Sequence, residues 1–369
     1  MKRDYSKFVL PGSAATKSRT FPTESPASTL ESLGWQHFFA QQTDLNELAQ
    51  APPARVVEVH RSGLKVVGEE IDTMLPPRQD VTVGDWLMVN RKHPIQSRIL
   101  ERKSLLKRRA AGHDRRIQLI AANIDTALVV SSCNQDFNIA RLERYVAVAL
   151  EAGIEPVIVL TKSDLCSDVV SYVEQASAIS NDLVVIAVDA RGNEPAQKLT
   201  DWCRQGQSLA LLGSSGVGKS TLTNGLTGAG SKAGGGIATQ PIREDDAKGR
   251  HTTTSRRLHL VTAGWSLIDM PGMREIQLAD TETGIAGLFA DLEELAQSCR
   301  FNDCGHTNEP GCAIVSALEN DQLDEARLTR WQKLLAEDRF NTSSLAERKA
   351  KDKALGKLIR QINKSKSQR

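Results

Sequence analysis

Apolar and polar positions change rhythm several times along the chain. Over residues 51–110 they alternate in short bursts: Arg55-Val-Val-Glu-Val-His60 runs into a Ser62-Gly63 turn, Leu64-Lys-Val-Val67 comes next, and 81–89 and 97–100 add two more segments. A period near two marks strands with one buried face, and several such strands joined by glycine-containing turns predict a small β-barrel. An oligonucleotide-binding (OB) type fits; a generic SH3-like barrel is the alternative.

After residue 112 the rhythm becomes one of compact apolar runs at 123–130, 155–160, 183–188 and 208–212, with a strand end at 265–269 and helical spacing over 139–152. Strands buried on both faces read as continuous apolar runs, and their alternation with helices predicts an α/β domain with a parallel sheet over 111–278. Beyond 272 the β signal fades. A helix over 283–298, a Cys/His-rich loop and further helices from 313 predict an α-helical domain over 279–340, succeeded by a basic helix or tail at 341–369. Upstream, 1–28 is Ser/Thr/Pro/Lys-rich without apolar period, and 29–50 can carry a short helix through Leu30, Leu33, Trp35, Phe38 and Phe39. The expectation for 1–50 is a disordered or extended segment.

Composition adds little: 369 residues, 40% hydrophobic and 25% charged, suit an ordinary multidomain protein. No apolar run approaches the ~20 residues needed to cross a bilayer, and the N-terminus lacks the apolar core of a secretory signal, so a cytoplasmic location without membrane association is expected. Charge is more informative. The net +2 hides ten Lys/Arg against two acids over 91–116 and nine against two over 343–369. Two basic segments on a near-neutral chain point to a polyanion, or else to a solvated surface and a frayed tail.

Three motifs carry chemistry. Gly213-Ser214-Ser215-Gly216-Val217-Gly218-Lys219-Ser220-Thr221 fits the phosphate loop G-x-x-x-x-G-K-[ST], between an apolar run and a predicted helix. Its glycines let backbone N–H groups surround phosphates, Lys219 reaches the β/γ oxygens, and Ser220 ligates Mg²⁺. Asp269-Met-Pro-Gly272 has the form D-x-x-G, with Asp269 tied to Mg²⁺ and the Gly272 amide able to sense a γ-phosphate. The glycine-rich stretch between them ends in His251-Thr-Thr-Thr254 and has the character of a switch, with Thr253 expected as a further Mg²⁺ ligand.

Thr161-Lys162-Ser163-Asp164, after an apolar run, is similar to the guanine-reading N-K-x-D of GTPases. The Asp164 carboxylate can accept from guanine N1 and its 2-amino group, which adenine cannot match, while the Lys162 stem lies along the base. Thr161 replaces Asn and loses an amide contact, and the accompanying S-A element falls at Val188-Asp-Ala190 with its Ser replaced. The base-reading motif precedes the phosphate loop, the reverse of the usual order. Together the motifs resemble the circularly permuted GTPases, an order that would tether the segment C-terminal to Gly272 to the γ-phosphate sensor.

That segment contains Cys299-x4-Cys304-x-His306-x5-Cys312. Three thiolates and an imidazole within fourteen positions suit one closed, structural Zn²⁺ site per chain, and clustering in a reducing compartment favours metal over disulfides.

The ordered combination of barrel, permuted GTPase with GSSGVGKST and GRHTTT, and Cys/His segment resembles the RsgA (YjeQ) family of small-ribosomal-subunit GTPases of bacteria. That resemblance implies an OB domain, a GTPase domain and a zinc domain that bind the 30S subunit and its 16S rRNA in late maturation, with GTP hydrolysis stimulated by the subunit and a monomeric state. Many GTPases place Gln after D-x-x-G to orient water; here Met273 stands there, and His251 is the candidate donor, as the resemblance also implies. The rival readings are an RNA-binding module in which nucleotide is only a structural ligand, and a signalling GTPase that uses its basic tail on anionic membranes.

Overall fold

Three short helices, α1 (Thr29–Ser32), α2 (His37–Ala40) and α3 (Leu45–Gln50), occupy 29–50, where the apolar residues suggested one short helix within a segment otherwise expected to be extended. Burial is the reason: Leu33 and Phe39 are almost wholly enclosed, and the Trp35 and Phe39 rings pack on Trp86. The computed structural model describes residues 29–109, 117–227, 256–261, 263–269, 278 and 280–342.

Strands β1 (Pro53–His60), β2 (Gly63–Gly68) and β3 (Asp72–Leu75) form an antiparallel meander, and β4 (Trp86–Met88) pairs with β1 and with β5 (Arg98–Ile99). Their apolar faces meet over Ala54, Val56, Leu64, Val66 and Leu87. The strand expected over 81–89 shrinks to Trp86–Met88 because 82–85 form a turn. Gly84 has φ +91°, a Cβ there would stand 2.0 Å from the Ala122 carbonyl, and the Asp85 carboxylate accepts from Thr82 N at 2.8 Å. At the hub of this unit lies Arg55. It is fully buried, donates to the carbonyls of Leu33, Gly84 (3.3 Å) and Asn123 (3.0 Å), and burial lowers its pKa to about 10.

β6 (Leu105–Arg109) and β7 (Ile117–Ala122) form a separate two-stranded ribbon that the hydrophobic pattern does not announce. The apolar run expected from residue 123 breaks at Asn123, whose φ is +56°. Its side chain donates to Gly84 O (2.9 Å) and accepts from Lys103 N (2.9 Å), and the next strand starts only at Thr126.

The α/β unit comprises β8 (Thr126–Ser132), α4 (Ile139–Glu151), β9 (Glu155–Thr161), α5 (Val169–Ser177), β10 (Val184–Ala187), α6 (Glu194–Lys198), β11 (Ser208–Leu212), α7 (Lys219–Thr227), β12 (Arg256–Leu260) and β13 (Ser266–Asp269). β10, β9, β8, β11 and β13 run parallel in that order, and the apolar runs of β8, β9 and β11 are buried on both faces as the pattern predicts. β12 lies antiparallel to β13, and its other edge pairs with β1 at Glu58↔Arg257 and Val59↔Arg256, reinforced by Arg257 Nε on Glu58 (2.5 Å). One sheet therefore runs from the α/β unit into the N-terminal meander.

Four helices complete the described chain: α8 (Glu282–Leu288), α9 (Ala290–Gln297), α10 (Ala313–Glu319) and α11 (Glu325–Thr342). The single helix expected over 283–298 breaks at Phe289 (φ −113°, ψ 39°), a buried ring with the Arg327 guanidinium 4.9 Å from its centroid. α11 docks on the α/β unit: Arg330 Nε reaches both oxygens of Glu143 (2.8 and 3.0 Å), and Arg327 donates to Ile179 O (2.7 Å). Burial raises the Glu143 pKa, and Arg330 opposes that rise.

Gly284 lies directly against α4, where a Cβ would fall 2.0 Å from Ala147 O and 2.8 Å from Glu151 N. Backbone cannot yield as a side chain can, so Gly284→Ala is expected to cost ~3 kcal/mol and lower the thermal midpoint by roughly 6–12 °C. A scanning-calorimetry midpoint matching the parent protein would refute this contact. No helix among the described residues is long and apolar enough to cross a membrane.

Candidate functional site

Parallel strands align their carboxyl ends at one sheet edge, where open α/β sheets bind ligands. That edge collects Thr161 at the end of β9, Gly213 after β11 and Asp269 at the end of β13. It therefore unites the base-reading and phosphate-reading motifs that lie about fifty residues apart in sequence, as a permuted order requires.

The turn from β11 into α7 needs glycine. Gly213, Gly216 and Gly218 have φ of +149°, +81° and +91°, and a Cβ on Gly213 would press 2.4 Å from Val130 O. Lys219 opens α7 and its ammonium is drawn into the curl of the loop, donating to Gly213 O (2.8 Å) and to Ser214 O. Ser220 and Thr221 stand exposed in the first helical turn, and Val217 anchors the loop in the core. Arg141, from α4, donates to the Ser214 hydroxyl at 3.0 Å.

Thr161 does more than lose an amide contact. Its buried hydroxyl lies against the Val217 carbonyl and 3.1 Å from Ser131 O, and its one proton serves either acceptor. The base strand is thereby tied to the phosphate loop, and Gly218, whose φ of +91° disfavours any other residue, packs close beside it, a Cβ there falling 3.2 Å from Thr161 Oγ1. Sequence offers no sign of this, since the partners are 56 positions apart.

Lys162 takes the left-handed conformation (φ +58°) and a 3₁₀ turn over Ser163–Leu165 presents Asp164. The Asp164 carboxylate is in contact with Arg191 Nη2, a residue that no motif marks. Arg191 Nε also holds Asp189 at 3.1 Å, and Asp189, standing where the S-A serine was expected, donates its N–H to Glu194 (3.0 Å). His251, Thr252, Thr253, Thr254, Gly272 and Met273 lie outside the described residues.

A second cluster forms between α9 and α10. Cys299 Sγ is 3.8 Å from Cys312 Sγ, both are 3.6 Å from His306 Nδ1, and Cys304 completes a set whose ligand atoms all lie within 4.8 Å of one another. Tetrahedral bonds of ~2.3 Å to sulfur and ~2.05 Å to nitrogen require S···S near ~3.8 Å and S···N near ~3.6 Å, so the donor set fits a zinc-sized ion. The surroundings hold the donors in place. Cys312 caps α10 and accepts from Val315 N (3.4 Å), and His306 (φ +56°) faces the Trp331 ring at 5.7 Å. Glu309 accepts from the backbone N–H groups of Thr307, Gly305 and Asn308, which hold its carboxyl down at about 2.

The first basic segment is partly neutralised. Arg98 pairs with Glu47 (2.7 Å), Arg102 with Asp85 (2.7 Å) and Lys103 with Asp125 (2.6 Å), while Lys107 and Arg108 rise on the β6–β7 ribbon. The second basic segment, 343–369, lies outside the described residues.

Residues 99–279 match the model of a family described as RsgA GTPase. Small ribosomal subunit biogenesis GTPase RsgA 2 of Vibrio parahaemolyticus is 47% identical over 94% of this chain and 96% of its own length. Small ribosomal subunit biogenesis GTPase RsgA of Mesorhizobium japonicum is 48% identical over 85% of this chain and 91% of its own. Among solved structures, YjeQ from Thermotoga maritima superposes with a TM-score of 0.55 at 22% identity, over 77% of this chain and 97% of that one. YloQ, described as a circularly permuted GTPase, gives 0.53 at 20% identity over 82% and 100%. Those likenesses identify the fold of the α/β unit as that of a circularly permuted GTPase.

Proposed function

The chain belongs to the RsgA GTPase family, and on that premise we propose that it hydrolyses GTP as a factor in late maturation of the small ribosomal subunit, bound to the 30S particle and its 16S rRNA. The observation that carries this reading is the shared sheet edge, where the phosphate loop and the Asp164 turn meet through Thr161.

In this assignment the amides of 213–221 surround the α- and β-phosphates and Lys219 reaches the β/γ oxygens. Asp164 selects guanine, with Lys162 along the base and Thr161 and Ser163 shaping the turn. Ser220, Asp269 and Thr253 hold Mg²⁺, which when bound draws charge from the phosphate oxygens, and the Gly272 amide reports the γ-phosphate. Phosphoryl transfer needs little covalent help from the protein beyond positioning and charge stabilisation. His251, in place of the absent glutamine, orients the attacking water. Cys299, Cys304, His306 and Cys312 hold one structural Zn²⁺. The domains proposed are an OB-type barrel over 51–110, the permuted GTPase over 111–278 and the zinc domain over 279–340. Lys107, Arg108 and the basic tail supply phosphate contacts to RNA, and the protein works as a cytoplasmic monomer without a membrane partner.

Steady-state phosphate release measured with and without purified 30S subunits tests this. Stimulation by the subunit is expected, and His251→Ala is expected to keep GTP affinity while losing ~10²-fold or more of the stimulated rate. Unstimulated release from the parent protein would favour nucleotide as a mere structural ligand, and full stimulated turnover in the variant would remove His251 from the reaction.

A further inference from the structure

The Asp164 carboxylate already has a partner within the chain. Arg191, on the loop between β10 and α6, places Nη2 on Asp164 Oδ2 and Nε on Asp189. The hydrogen bond that Arg191 donates to Asp189 and the charge of Asp164 together hold the guanidinium pKa above its ordinary value. The contact reaches across separate elements, from the loop after β10 to the turn after β9. Its loop is braced from behind, since Asp189 Oδ1 accepts from Arg191 N (3.0 Å) and Asp189 N donates to Glu194.

Exposure decides what such a contact does. The Arg191 side chain keeps 65% of its surface and Asp164 only 20%, so the guanidinium covers the carboxylate from the solvent side. A base read by Asp164 has to meet the same carboxylate. Guanine presents N1–H and the 2-amino group in one plane and needs both Asp164 oxygens, one of which carries Arg191.

We propose that Arg191 is a self-ligand of the guanine-reading carboxylate, occupying Asp164 when the base pocket is empty and released from it when guanine binds. The arrangement sets affinity rather than chemistry, because every guanine nucleotide must displace the same ion pair. It also keeps Asp164 aimed and charge-compensated between turnovers, and it makes nucleotide capture sensitive to ionic strength. The inference rests on Asp164 being the base reader.

The test is binding of a fluorescent GDP analogue by stopped flow to the full chain and to Arg191→Ala, Arg191→Lys, Asp164→Asn and the Asp164→Asn/Arg191→Ala double variant. Exposed ion pairs are weak, so Arg191→Ala is expected to bind GDP about two- to fivefold more tightly, mainly through faster association. Arg191→Lys is expected to return toward the parent value. The gap between parent and Arg191→Ala is expected to narrow as salt rises from about 0.05 to about 0.5 M, as screening weakens the pair. On Asp164→Asn the second substitution is expected to add nothing. Equal or weaker GDP binding by Arg191→Ala, with an unchanged nucleotide-free unfolding temperature, overturns the proposal while leaving the base reading intact. Undiminished GDP binding by Asp164→Asn overturns the base reading and the proposal with it.

Discussion

Lys219→Ala is expected to cut GTP turnover by roughly 10²–10³-fold or more, the scale seen when one preorganised donor to developing negative charge is removed. The side chain is built for that position. It begins α7, where the helix dipole already favours phosphate, and the loop carbonyls of Gly213 and Ser214 steer its ammonium inward. Arginine is not an equivalent replacement, because a planar guanidinium fork does not reproduce the compact point charge that an ammonium offers to phosphate oxygens. Phosphate release at saturating 30S subunits, with GTP affinity measured separately by titration, distinguishes lost binding from lost rate. Turnover within tenfold of the parent protein would show that Lys219 does not stabilise the transferring phosphoryl group.

Cys312→Ser is expected to have a comparably large effect on a different property, the integrity of 299–342. Structural zinc in small sites supplies ~10–16 kcal/mol of apparent binding energy, as much as the whole stability of a typical domain. Cys312 is buried, caps α10, and packs within reach of His306, which in turn faces Trp331 on α11. Metal content by atomic absorption should fall from one zinc per chain to below about a tenth, with a change in tryptophan emission and early proteolysis between α9 and α11. GDP binding should survive, because the phosphate loop and Asp164 stand on the separate sheet edge. Full zinc content in the variant would remove Cys312 from the site.

Much of this architecture is legible in the chain. The buried strands β8, β9 and β11 announce themselves as apolar runs because both faces are covered, and each motif comes after its strand at the expected edge. The Cys/His spacing needs only local chain geometry. What escapes depends on distant partners. Nothing near Thr161 reveals that its hydroxyl meets the carbonyl of Val217, and nothing near Arg191 reveals Asp164. The apolar residues of 29–50 suggest one short helix but not its division into three, which depends on Leu33 and Phe39 finding a core made later in the chain. Likewise the strand expected from residue 123 starts only at Thr126, because Gly84 and Lys103 hold the Asn123 side chain in a turn.

The pairing of β1 with β12 also bears on how the chain is made. β4 covers the upstream part of β1 at Pro53–Arg55, whereas Glu58 and Val59 wait for Arg257 and Arg256. At translation rates of ~5–20 residues per second, those partners emerge roughly 10–40 s after β1. During that interval the downstream edge of β1 is an open template of unpaired amides and carbonyls. A charge on such an edge disfavours pairing with another chain, and Glu58 carries one there before it becomes the anchor for Arg257.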